Sequence, residues 1–171
     1  MYSFRNDYSE GAHPKVLQAL ADTNLRQTVG YGMDPCCQAT ADTIRRLCAA
    51  PDAAVHFLVG GTQVNLVTID AFLQSYEAVV AAQTGHVSTH ETGAIEATGH
   101  KVCTVESPDG KLTPALVESV LAGHNGTEHM VLPRMVYISD TTEIGTVYTR
   151  AELAALRQAG LYRLYLGVET G

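Results

Sequence analysis

The chain is predicted to fold as an α/β domain built as a three-layer sandwich. Three observations carry that reading. Short apolar runs alternate with helix-type segments along the sequence, which implies strand–helix–strand units and a mainly parallel sheet. One apolar run, Val55-His56-Phe57-Leu58-Val59, passes through Gly60-Gly61-Thr62-Gln63 directly into a helical pattern from Val64. Hydrophobic residues make up 46% of 171 positions, enough for one domain with a real core.

The elements follow in order. His13-Pro14 opens a helix through Leu20, with Pro14 suited to the first turn. Gly30-Tyr31-Gly32-Met33-Asp34-Pro35 reads as a loop, and Asp34-Pro35 starts a second helix running to about Ala49. Residues 55–59 read as a buried strand and residues 64–73 as the helix after the glycine turn. Residues 78–80 are a short strand candidate, and residues 86–99 are mixed. Residues 101–106 read as a strand, followed by the turn Pro108-Asp109-Gly110-Lys111. Thr113-Pro114 caps a helix through Leu121. Met135-Val136-Tyr137-Ile138-Ser139 reads as a buried strand. Thr149 caps a helix through Gln158, and Glu152 completes a capping box. Gly160 ends that helix, and residues 161–166 begin a further strand. No repeat, low-complexity tract or linker interrupts the order, so one domain over residues 1–171 is expected.

Composition narrows the function classes. A formal charge of −7 and a pI near 5.4 argue against a nucleic-acid surface. No apolar run reaches membrane-spanning length. The start, Met-Tyr-Ser-Phe-Arg-Asn-Asp, has neither the basic nor the apolar region of a signal peptide, so a cytoplasmic protein is expected. Cys36, Cys37, Cys48 and Cys103 form no C-x-x-C pair, and vicinal Cys36-Cys37 is a poor disulfide candidate. All four are expected as reduced thiols.

Chemistry concentrates at the glycine turn. A strand, a glycine turn and a helix start make an anion cradle, where free N–H groups and the positive helix end converge and Thr62 adds a hydroxyl. No Gly-Lys-Ser/Thr follows, so a smaller phosphate ester fits better than a nucleoside triphosphate. The same pattern also describes an ordinary glycine turn with Thr62 as helix cap. In a parallel sheet, ligands sit beyond the C-terminal strand ends, where 60–62 and 139–145 both fall.

The histidines divide by context. His86 and His90 are four apart, but Val87-Ser88-Thr89 does not favour helix and no H-E-x-x-H is present, so no metal is expected. His56, inside an apolar run, reads as a hydrogen-bonded core histidine. His13, His100 and His124 lie at turns and read as exposed. His90-Glu91 precedes the helix start Thr92-Gly93-Ala94-Ile95-Glu96. A ring there can stack on a planar aromatic ligand, and equally can cap or face solvent. Glu143, just past a buried strand, reads by itself as a turn carboxylate.

Several segments together resemble a known family. Phe4-Arg5-Asn6-Asp7-Tyr8, Tyr31-Gly32-Met33-Asp34-Pro35, Gly60-Gly61-Thr62-Gln63-Val64-Asn65, His90-Glu91-x-Gly93-Ala94-Ile95-Glu96 and Tyr137-Ile138-Ser139-x-x-x-Glu143-x-Gly145-Thr146 recur in this order in the low-specificity L-threonine aldolases. These belong to the aspartate-aminotransferase-like pyridoxal-phosphate enzymes, relatives of the β-eliminating lyases. The resemblance covers residues 1 to about 166. It implies the large domain of that fold, pyridoxal 5′-phosphate as cofactor, and cleavage of L-threonine or L-allo-threonine to glycine and acetaldehyde. It also implies a homodimer or homotetramer, with an amino acid as the small-molecule substrate. By the same resemblance, Gly61 and Thr62 match the phosphate cup and His90 the histidine stacked on the pyridine ring. His129 matches a second active-site histidine. Asn6 and Ser9 both stand near the position that touches the substrate carboxylate. Tyr31 and Asp34 match a loop that reaches the neighbouring subunit's site, and Glu91 is placed to steer water or protons.

The departure from the family is as informative. Its members are much longer and continue after the strand at 164–166 with Asp-Gly-Ala-Arg, and later with the lysine that carries the cofactor. Here the sequence reads Gly167-Val168-Glu169-Thr170-Gly171, and its lysines, Lys15, Lys101 and Lys111, match no such position. A truncated or frame-shifted gene is the simplest reading, and this chain alone is expected to be inactive. The other readings are a β-eliminating amino-acid lyase of the same superfamily and a non-catalytic fragment.

Overall fold

The computed structural model describes residues 10–124 and 126–160. The described residues divide into two compact units, residues 10–58 and residues 59–160.

The first unit contains α1 (Pro14–Thr23) and α2 (Pro35–Leu47). Each begins where the sequence supplies an acceptor for orphan helix N–H groups. The His13 ring accepts from Lys15 N–H. Asp34 Oδ1 accepts from the N–H groups of Cys36 and Cys37, both at 2.9 Å. The Cys37 thiol, together with those N–H groups, holds the Asp34 carboxyl below its ordinary range.

The second unit carries the sheet. β1 (Glu77–Ala82) lies between β2 (Lys101–Val105) and β3 (Leu132–Val136), and both pairings are parallel. β1 reads Glu-Ala-Val-Val-Ala-Ala, and every residue after Glu77 is buried. A strand apolar on both faces needs a layer on each side. Val79 and Ala81 face α3 (Gly61–Phe72) and α5 (Ala94–Ala97) through Ile69, Leu73 and Ile95, with Val87 of α4 (His86–Thr89) completing the cluster. Ala78, Val80 and Ala82 face Cys103 and Leu112, with Val117 and Val120 of α6 (Pro114–Gly123) packed against them. This is the three-layer α/β arrangement expected.

α7 (Arg150–Gln158) begins at Thr149 with the predicted capping box. It is tied to the turn before α6. Lys111 Nζ lies 2.7 Å from Glu152 Oε1, and Leu112 N–H donates to the Tyr148 hydroxyl at 2.6 Å. Gly110 serves this turn with φ +72°, and a Cβ there would lie 3.3 Å from the Thr142 side chain.

Several expectations need correction. Residues 55–59 form no strand, and they are largely exposed, Val59 to 97%. No described strand pairs with them, so their apolar pattern has no hydrogen-bonded partner to complete a ladder. His56 is therefore exposed rather than a core histidine. β3 begins at Leu132, earlier than the predicted 135–139, and is half-buried because it forms an edge of the three-stranded sheet. His100 is buried, not exposed: Nδ1 lies 3.3 Å from Glu77 O and Nε2 lies 3.5 Å from an Asp70 carboxylate oxygen. His124 is half-buried, with Nδ1 2.8 Å from Val120 O and Nε2 3.6 Å from Cys103 Sγ. Burial pushes the Cys103 thiol up, against a smaller opposing pull from Lys101. Cys36, Cys37, Cys48 and Cys103 are all free thiols. Among the described residues, no helix is long and apolar enough to cross a membrane. The strand expected at 161–166 lies outside the described residues.

Two outcomes follow from this packing. Ile69 is 2% exposed at the centre of one core cluster, so Ile69→Ala is expected to cost about 2–5 kcal/mol in denaturant unfolding. The Lys111 ammonium and the Thr149 N–H and hydroxyl hold the Glu152 carboxyl from its ordinary 4.5 down to about 2. A depressed acid stabilises the fold above its unfolded value and loses that contribution as protons bind. Wild-type stability is therefore expected to fall between about pH 4.5 and about pH 2 from this group, and Glu152→Gln to flatten that part of the profile.

Candidate functional site at the C-terminal sheet edge

The site begins at the first turn of α3. Gly60 is its N-cap in extended conformation (φ −170°) and supplies no side-chain cap. Thr62 therefore lies inside the first turn and is not the cap. Val64 N–H bonds Gly60 O, which leaves the N–H groups of Gly61, Thr62 and Gln63 without intrahelical acceptors. The turn is fixed by another route: Val59 N–H donates to Gln63 Oε1 at 2.9 Å. The result is a helix N-terminus with open donors and a favourable dipole.

One helical turn further, Asn65 leaves α3 for the buried Glu91. Asn65 Nδ2 donates to Glu91 Oε1 at 2.5 Å, and His86 Nδ1 lies 2.8 Å from the same oxygen. Glu91 is 4% exposed, and its Oε2 is buried without a hydrogen-bond partner among the described residues. The backbone explains the placement. α4 follows β1 through a short turn, and a left-handed Gly93 (φ +73°) then starts α5, so Glu91 is folded inward between two short helices.

The end of β3 supplies the opposite wall. Ser139 Oγ donates to Glu143 Oε1 at 2.6 Å and lies 3.3 Å from the Tyr137 hydroxyl. Burial pushes the Tyr137 phenol up, the Glu143 and Glu91 carboxylates add to that, and bonds from Ser139 and Asn65 oppose it. A polar chain thus runs from His86 through Glu91, Asn65, Tyr137 and Ser139 to Glu143. His86 and Glu91 follow β1, and Tyr137, Ser139 and Glu143 follow β3, where a parallel sheet places its ligands.

The expected residues are placed unevenly. Gly61, Thr62 and Glu91 lie along this edge. His90 terminates α4 and is exposed, with its ring centroid 5.5 Å from that of His86. His129 is exposed in the turn leading into β3, on the N-terminal side of that strand, whereas Glu91 and Glu143 follow C-terminal strand ends. Tyr31 and Asp34 belong to the first unit. Tyr31 is fully exposed with φ +62°, and Asp34 is engaged as the cap of α2. Asn6 and Ser9 lie outside the described residues. Sequence reasoning missed His86 and Asn65 as members of the cluster. The available signals were a lone amide on the apolar stretch of α3 and a histidine five positions before Glu91, a spacing that one short helical turn brings together.

The donor set suits a phosphate monoester. Three backbone N–H groups and a threonine sit at a helix start that no side chain occupies, and a glycine there offers no Cβ obstruction: a Cβ placed on Gly60 would meet nothing within 4 Å. The adjoining imidazoles and buried acid suit a flat, polar ring beside it.

Comparison with known proteins places the chain in a family. The family model for beta-eliminating lyases matches residues 4–160. Members of that family depend on pyridoxal phosphate. The chain is 36% identical to a low-specificity L-threonine aldolase from Pseudomonas sp. (strain NCIMB 10558), over 90% of the chain and 44% of that protein. It is 34% identical, with the same coverage, to the low-specificity L-threonine aldolase of Pseudomonas aeruginosa. A solved structure of Leishmania major threonine aldolase superposes with a TM-score of 0.88 at 55% identity, over 93% of this chain and 46% of that one. The chain therefore spans less than half the length of these relatives.

Proposed function

The chain belongs to the beta-eliminating lyase family, and from that premise we propose that it forms the cofactor-binding part of a pyridoxal-phosphate-dependent lyase of threonine-aldolase type. The whole enzyme then cleaves L-threonine or L-allo-threonine to glycine and acetaldehyde. One observation carries this reading: an uncapped helix N-terminus and a buried carboxylate bonded to a half-exposed imidazole share one sheet edge, joined through Asn65. Gly61 and Thr62 hold the phosphate by N–H and hydroxyl donation. His86 is assigned to the face of the pyridine ring in preference to His90, because Glu91 fixes its ring while His90 is exposed. The bound cofactor supplies a sink for the electron pair released at the amino-acid α-carbon. The chain's own contribution is to orient that group and to keep proton carriers at fixed positions: His86 beside Glu91, and Tyr137 beside Ser139 and Glu143.

The carboxylate-binding role of Asn6 or Ser9, and the approach of the Tyr31–Asp34 loop to a second subunit in a homodimer or homotetramer, belong to the same proposal. The alternative, a β-eliminating amino-acid lyase, draws on the family's name. Product analysis separates the two, since elimination from threonine yields 2-oxobutanoate and ammonia in place of glycine and acetaldehyde.

Catalysis by these 171 residues alone is not expected. Lys101 opens β2 at the N-terminal end of the sheet, Lys111 is paired with Glu152, and Lys15 lies on α1 in the first unit. Pyridoxal phosphate is expected to bind, read by absorbance titration. Thr62→Ala is expected to weaken binding roughly tenfold, the loss of about 1.5 kcal/mol for one hydrogen bond to a charged group. Acetaldehyde release from L-threonine is expected to stay at the rate of free cofactor. Enzymatic turnover abolished by Thr62→Ala would overturn the assignment of inactivity.

A further inference from the structure

We propose that Glu91 and Asn65 are positioning residues that hold His86 as its Nδ1–H tautomer, so that the ring presents Nε2 outward as an acceptor. The Glu91 carboxylate has only acceptor capacity. His86 Nδ1 faces Glu91 Oε1 at 2.8 Å, so the proton of that contact sits on Nδ1. In the neutral ring the lone pair then belongs to Nε2.

Burial gives the direction. The Glu91 side chain has no exposure, whereas the His86 side chain is 42% exposed. The ring edge toward Glu91 is therefore the inner one, and the edge bearing Nε2 is the one that reaches the open side. Asn65 removes the remaining freedom by donating to the same oxygen from α3. Glu91 Oε2 has no donor among the described residues, so the carboxylate's hydrogen bonding there is concentrated on the atom that faces His86. A carboxylate that fixes the tautomer of a functional imidazole is a general device. Here the same amide that locks the carboxylate stands one turn below the open N-terminus of α3. A ligand held by that N-terminus and the imidazole are thereby placed relative to each other through one residue. The functional consequence, a cofactor ring or amino acid meeting an acceptor rather than a donor at His86, rests on the lyase reading above; the tautomer does not.

The test is long-range 1H–15N NMR on the 171-residue chain labelled at histidine nitrogens, without cofactor, with His86 assigned by its loss in His86→Gln. The expected wild-type signal is a protonated Nδ1 with a pyridine-type Nε2. Glu91→Gln keeps an accepting oxygen and is expected to retain that pattern, whereas Glu91→Ala is expected to lose it. A wild-type His86 protonated on Nε2, or a pattern unchanged in Glu91→Ala, overturns the proposal. If Glu91→Ala does not fold, the wild-type and Glu91→Gln spectra decide. Pyridoxal-phosphate titration of the same samples is a separate arm. Failure to bind with the tautomer intact overturns the lyase reading and leaves the positioning role standing.

Discussion

A strand with no exposed face cannot exist without a layer on either side of it. β1 is such a strand: from Ala78 to Ala82 each residue is buried, and all are alanine or valine. Small side chains let α3 and α5 approach from one side and α6 from the other. The parallel pairing with β2 and β3 then sends every connection back across a face of the sheet, which brings the strand ends and the following loops to one edge. The candidate site is thus a by-product of burying β1.

That edge is also where buried polar groups collect. Inside the apolar layers a lone carboxylate is costly, and Glu91 is tolerated because two donors converge on one of its oxygens. In a poorly solvated setting those bonds are strong, and they fix the groups attached to them. Asn65 ties the cluster to α3, and the Tyr137–Ser139–Glu143 group ties the end of β3 to the same edge. Packing and site geometry are therefore one construction.

What the sequence made legible was mostly local. Thr113, Thr149 with Glu152, and Asp34 announced their helices because capping chemistry involves neighbours within one turn. β2 was legible as a short apolar run ended by a turn. The failures were non-local. Residues 55–59 have the composition of a strand, but composition cannot supply the pairing partner. His100 and His124 stand beside glycines and read as turn residues, yet Glu77, Asp70 and Val120 enclose them from other elements or from the preceding turn. Motif order grouped Gly61, Thr62 and Glu91, and they lie along one edge of the sheet. His86 was passed over because its role depends on a carboxylate five residues away across a chain reversal. His129 stands before β3 rather than after it, a position that motif order alone does not show.

The uncovered segment at 55–59 has a meaning for the chain's life in a cell. It sets Val55, Phe57, Leu58 and Val59 in a row outside any described strand, with Phe57 and Leu58 well exposed. Chaperones and proteases sort proteins by transiently or permanently displayed chain of this type. The sheet's own stability is then a poor guide to abundance.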